Sequence, residues 1–160
     1  MNLVDFGNRL TSNLNNQLGM NLKVRSNLDI TQEALYISSE KCIEINEVLL
    51  EETARESNIN LQDYAFIIMS HEVGHALDFE LIKIDTNITR YERILKTQGY
   101  KEEIAKRLMT CKLQAEKNAW NIAEDIVPPK FLPLFKQIKK SSLEKNREIF
   151  QLEKERLKGY

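Results

Sequence analysis

The chain contains two histidines, and both fall within the five residues His71-Glu72-Val73-Gly74-His75. On a helix, a separation of four stacks two imidazoles on one face. There both can reach a single Zn²⁺ at about 2.0–2.1 Å, while the intervening glutamate sits beside the metal and can take a proton from water. The bland alternative is a pair of surface histidines flanking a glutamate on an ordinary helix. The flanks argue against it: Tyr64-Ala65-Phe66-Ile67-Ile68-Met69 leads into the motif and Ala76-Leu77 follows. The histidines therefore lie in a helix apolar enough to be internal, and uncharged imidazoles buried there need a partner. Gly74 costs roughly 1 kcal/mol relative to alanine in a helix interior. A glycine at that point signals the close approach of another backbone or of a ligand.

Two histidines do not complete a catalytic zinc site, which takes three protein ligands and keeps one position open. The residues after the motif, Ala76-Leu77-Asp78-Phe79-Glu80-Leu81, lack the glycine and histidine of a metzincin. With no histidine left, the third ligand is a carboxylate or a cysteine. Glu116 is the first candidate. It flanks the apolar stripe of a helix over Lys101–Val127, and Ala119 and Ala123 on its side are small enough to let that helix approach the metal helix. Asp125, on the other flank, is the reserve candidate. Glu124 points away from the stripe and reads as solvated, and Cys111, on the stripe itself, reads as core.

The elements that must position these residues follow from periodicity. Leu3, Phe6, Leu10, Leu14 and Leu18 predict a first helix that Gly19 is placed to end. Leu22-Lys23-Val24 alternates, and the β-prone runs Ala34–Ile37 and Cys42–Ile45 read as a hairpin, giving three short strands ahead of the metal helix. Val48 to Ala54 predicts a short helix, and Leu61 to about Ile84 a long one that carries the histidines. Ile104, Leu108, Cys111, Ala115, Ala119, Ile122 and Ile126 keep to steps of three and four until Pro128-Pro129 stops the Lys101–Val127 helix. Two further helices are expected, around Phe131 to Ile138 and from Ser142 onward, the second introduced by the capping-box pattern Ser141-x-x-Glu144. The expected fold class is α+β: a mostly helical zincin-like domain with a small three-stranded sheet ahead of the metal helix. It forms a single domain over residues 1–160, with 141–160 as a helix free to project.

Composition narrows the function classes. A chain of 160 residues with 42% apolar side chains can bury one core. A net charge of −1 provides no broad basic footprint, so direct nucleic-acid binding is not expected. Cys42 and Cys111 form no CxxC pair and are too few for a disulfide framework, which suits a reducing compartment. The first residues show no basic segment followed by an apolar one, and no stretch approaches the roughly 20 apolar residues of a membrane span. The expectation is a soluble cytoplasmic protein with no membrane partner.

The motif His71-Glu72-Val73-Gly74-His75, followed by Glu116-Lys117-Asn118-Ala119-Trp120-Asn121-Ile122-Ala123-Glu124-Asp125-Ile126-Val127-Pro128-Pro129, resembles the ImmA/IrrE family of zinc metallopeptidases. In that family an HExGH helix is followed by one of the form E-x-x-A-x-x-F-A-x-x-L-L-x-P. The resemblance spans about Leu22 to Pro129. It implies His71, His75 and Glu116 as zinc ligands and Glu72 as general base. Ile122 replaces the usual phenylalanine, and the interval between His75 and Glu116 is longer than is common in the family, with an extra segment near Tyr91 to Gly99 within residues 85–112. It further implies a protein substrate in bacterial or phage regulation, such as a repressor of a mobile element. Two rivals stand beside this reading: a non-catalytic zincin-fold binding protein with a regulatory role, and a metal-free helical interaction protein whose support is the charged segment Ser142–Tyr160.

Overall fold

In the computed structural model, which describes residues 2–159, the chain opens with α1 (Leu3–Leu18), closed by Gly19 in the left-handed conformation at φ 63°. Three strands follow: β1 (Lys23–Ser26), β2 (Ala34–Ile37) and β3 (Cys42–Ile45). They form one sheet in the order β1-β3-β2, with β1 parallel and β2 antiparallel to the central strand. The remainder is helical: α2 (Glu47–Glu56), α3 (Leu61–Leu77), α4 (Leu81–Gln98), α5 (Glu102–Ile126), a 3₁₀ turn at Pro129–Phe131 and α6 (Leu132–Leu157). The fold is α+β and mostly helical, with one small mixed sheet among the described residues. Among those residues no helix is long and apolar enough to cross a membrane.

Asparagine side chains set several boundaries. Asn2, Asn46 and Asn60 cap α1, α2 and α3 by accepting backbone N–H groups that a helix start leaves free. Asn8 and Asn15 act differently. Asn8 donates to the Val24 carbonyl and accepts from the Val24 N–H, and Asn15 does the same with Leu22. Two amides on α1 thus pair with the outer edge of β1 as a neighbouring strand would, while on the other edge of the sheet the Tyr36 N–H of β2 is taken by Glu72 of α3.

α3 is the centre of the molecule. Its residues Ala65, Ile67, Met69 and Val73 are fully buried, as expected of a helix that is apolar on all sides. It touches the sheet through β2, and α1, α2 and α5 pack around it. The closest approach is to α5. A Cβ added to Gly74 would lie 2.1 Å from the Ala119 carbonyl oxygen, so the two backbones are in direct contact there.

Two helix boundaries differ from the sequence expectation. The helix that carries the histidines ends at Leu77, not near Ile84. Asp78 turns extended, its carboxylate accepts the Glu80 N–H, and a new helix starts at Leu81. Leu81 and Ile84 belong to the inner stripe of α4, continued by Ile88, Tyr91 and Leu95, which packs on α5. The extra segment near Tyr91 to Gly99 is the second half of that helix. The expected pair of helices after Phe131 is one continuous α6, with the Ser141-x-x-Glu144 pattern in its interior. No glycine or proline breaks it there, and it does not project: Lys112–Glu153 and Lys154–Glu102 ion pairs hold its second half along α5.

Gly74→Ala should destabilise the chain by about 2 kcal/mol or more, because overpacking against a backbone outweighs the gain in helix propensity. Urea denaturation checks this, and a variant as stable as the parent would mean that α3 and α5 do not meet at Gly74.

Candidate metal centre

His71 and His75 face α5 from consecutive turns of α3, and Glu116 on α5 faces them, one turn before the Ala119 contact. Glu116 Oε2 lies 3.2 Å from His71 Nε2, and Oε1 lies 3.5 Å from His75 Nε2. One donor atom from each residue falls within 4.8 Å of the others. Two ligands of a tetrahedral zinc, each about 2.0–2.1 Å from the ion, stand about 3.3 Å apart. The two nitrogen-to-carboxylate distances are therefore close to the separation such an ion requires, and an N₂O donor set suits zinc.

The site is held from several sides. His71 is buried, and its ring stacks on Trp120 at 4.2 Å between centroids. Trp120 meets Phe135 of α6 edge to face. His71 Nδ1 has no hydrogen-bond partner among the described residues, so the stack orients this ring in place of the carbonyl or carboxylate that usually holds a ligating histidine. Asn146 of α6 donates to Glu116 Oε2 at 3.2 Å. Glu72 is buried, and its Oε2 accepts the backbone N–H of Tyr36 on β2 at 2.8 Å. Its other oxygen, Oε1, lies 3.9 Å from His71 Nε2 and faces the site.

Charge and burial work against each other here. Burial alone would raise the Glu116 carboxyl, but hydrogen bonds from His71 and His75 and their charge outweigh it and hold the group well below the usual carboxylate range. Burial alone would lower His75, but its hydrogen bond to Glu116 and the nearby Glu72 and Glu116 carboxylates raise it. Glu116 and His75 thus favour each other's charged form when no ion lies between them.

The remaining candidates lie elsewhere. Asp125 is exposed on α5. Glu124 is not simply solvated: it pairs with Lys139 and Lys136 and ties α5 to α6. Cys111 packs between the α4 and α5 clusters. Among tyrosines that could stabilise an oxyanion, Tyr64 is bonded to Glu33, Tyr100 to Glu102, and Tyr91 is buried in the α4–α5 cluster. Only Tyr36 adjoins the site, through its backbone. Sequence reasoning missed the supporting groups Trp120, Asn146 and the Tyr36 N–H. Trp120 carried a signal as the single tryptophan, directly after Ala119, whereas Asn146 is an unremarked polar residue in a charged helix. Comparison with protein-family models, with curated proteins and with solved structures finds no match to this chain.

The coupled pair predicts a pH window for chelator-treated protein. His75, raised above its ordinary value of 6.5, adds stability below that pH that is lost as pH rises through its folded value. Glu116, depressed from 4.5, adds stability above that pH that is lost on acidification. The pair therefore contributes most between pH 4.5 and 6.5. Denaturation in chelator at pH 5.5 and 8, each set by that window, should show a loss on the alkaline side that Glu116→Gln abolishes; an unchanged pH profile in the variant would remove the coupling.

Proposed function

We propose that this chain is a zinc-dependent endopeptidase of the ImmA/IrrE kind, acting on a protein substrate. The observation that carries the reading is the convergence of His71 Nε2 and His75 Nε2 on the Glu116 carboxylate, with one donor atom from each residue within 4.8 Å of the others and the Glu72 carboxylate beside them. The resemblance described from the sequence names the same four residues.

The ion, when bound, supplies positive charge that acidifies water and polarises a peptide carbonyl. Glu72 does the proton work. With Oε2 fixed by the Tyr36 N–H, Oε1 is left facing the site as the atom that takes the proton from water and returns it to the leaving amine. Asn146 keeps the Glu116 carboxylate turned toward the histidines, and the Trp120 stack fixes His71. Peptide bonds are presented in extended form, and β2 is suited to receive them. It is the edge strand whose backbone reaches the base, while the opposite edge of the sheet is taken by Asn8 and Asn15. A phage or mobile-element regulator is the substrate class that the resemblance suggests, and the cytoplasm the compartment.

Metal analysis and peptide cleavage test the reading together. The parent chain should hold one zinc per chain. Glu72→Gln should keep the metal and lose about a hundred- to ten-thousand-fold in cleavage rate. Glu116→Ala should lose zinc far more readily than Asp125→Ala. Zinc retention with no cleavage by the parent would favour the non-catalytic binding protein, and no zinc at all would sink the reading. Asn146→Ala should weaken zinc roughly tenfold. Its titration can be followed by the fluorescence of Trp120, whose ring lies 4.2 Å from that of His71, and an unchanged affinity would show that Asn146 does not position Glu116.

A further inference from the structure

A trough of about 510 Å³ lies between the turn after β2 and one face of α4, with Ser38 on one wall and Ile82, Asp85, Arg90 and Arg93 on the other. Both walls belong to segments that adjoin the site in the chain. Ser38 lies two residues beyond Tyr36, whose N–H holds Glu72. Ile82 and Asp85 stand in the first turns of α4, which starts directly after the short turn that ends α3. Ile82 is 78% exposed, and Phe79, just ahead of α4, is fully exposed, so the near end offers apolar surface with nothing on it.

The far end is cationic. Arg25 and Arg107 each meet a carboxylate. Arg90 instead lies over the Tyr91 ring and donates to its hydroxyl, and among the described residues neither Arg90 nor Arg93 has an acidic partner. A guanidinium is built to take a carboxylate through two parallel hydrogen bonds. From Ile82 to Arg93 the helix advances roughly 16 Å at about 1.5 Å per residue. An extended peptide covers that distance in about five residues. Asp85 stands about 12 Å before Arg93 on the same wall, so it disfavours acidic residues at the Ile82 end and confines them to the arginine end.

We infer that this trough selects the substrate: it takes an extended polypeptide segment with an apolar side chain beside Ile82 and acidic side chains about five residues further on, read by Arg90 and Arg93. The occupant rests on the peptidase reading, whereas the charge preference rests on the trough itself.

Retention of peptides on immobilised full-length Glu72→Gln protein tests it without requiring cleavage. The probes are two pools of short peptides, degenerate except for a fixed leucine followed about five residues later by Glu-Glu in one pool and Lys-Lys in the other. The Glu-Glu pool should be held about fivefold more strongly, as two exposed charge-assisted contacts allow. The preference should fade at high salt, weaken in Arg93→Gln and reverse in a chain carrying both Arg90→Glu and Arg93→Glu. Equal retention of the pools would overturn the inference. So would displacement of the Glu-Glu pool by a single-stranded oligonucleotide in a manner that depends on the same arginines. A chain that cuts peptides without this preference keeps the peptidase reading and loses the trough. One that shows the preference but cuts nothing keeps the trough and loses the peptidase.

Discussion

The backbones of α3 and α5 meet at Gly74 and Ala119, with no room for a side chain between them. The candidate site depends on that contact. Helices normally pack with axes 8–10 Å apart, a distance set by the side chains at the crossing, and a glycine against an alanine brings them to the near end of that range. Only then does a glutamate one turn away on α5 reach imidazoles on α3. Ala123, also fully buried, continues the small surface and keeps the helices close over more than one turn. The spacing of His71, His75 and Glu116 is therefore set by backbone against backbone, where side-chain rearrangement cannot relax it.

Around this contact the chain has arranged polar support at some energetic cost. Glu72 is buried beside a second carboxylate, which is unfavourable without compensation, and the compensation comes from a backbone amide of the sheet and from the histidines. His71 Nδ1 and Trp120 Nε1 remain without partners among the described residues. Two unsatisfied donors or acceptors in contact with one site are costly, and they coincide with the residues that fix the first histidine. This is the usual location of such costs in a fold that is otherwise locally consistent.

Much of the site was legible because its chemistry is local. The spacing within His71–His75 is a helix property, and Gly74 announced the close approach whose partner proved to be Ala119. Glu116 was reachable because the small residues beside it mark the crossing face. The three strands were legible in their β-prone runs. The break after Leu77 was not, because the apolar period of α3 happens to continue in phase through Leu81 and Ile84, and the stop is made by Asp78 and not by a glycine or proline. The stripe Leu81, Ile84, Ile88, Tyr91, Leu95 was present in the sequence and marks α4 plainly once the break is known. The continuity of α6 was obscured by a capping pattern that tertiary contacts override: Lys139 to Glu124 and Lys112 to Glu153 hold α6 straight across it. Asn146 had no local signal, since its role comes from a helix thirty positions away in sequence from Glu116.

The asparagine clamp on β1 also bears on how copies of this chain meet one another. A sheet with two open edges can polymerise by adding strands at both, as in fibrils. Here Asn8 and Asn15 already occupy the hydrogen-bonding groups of Val24 and Leu22, so a strand from another copy finds no partner on that side. On the opposite edge the Tyr36 N–H of β2 is already bonded to Glu72. A strand from another copy added there would have to displace the carboxylate that faces the centre, so both edges of the sheet are guarded by side chains of the same chain.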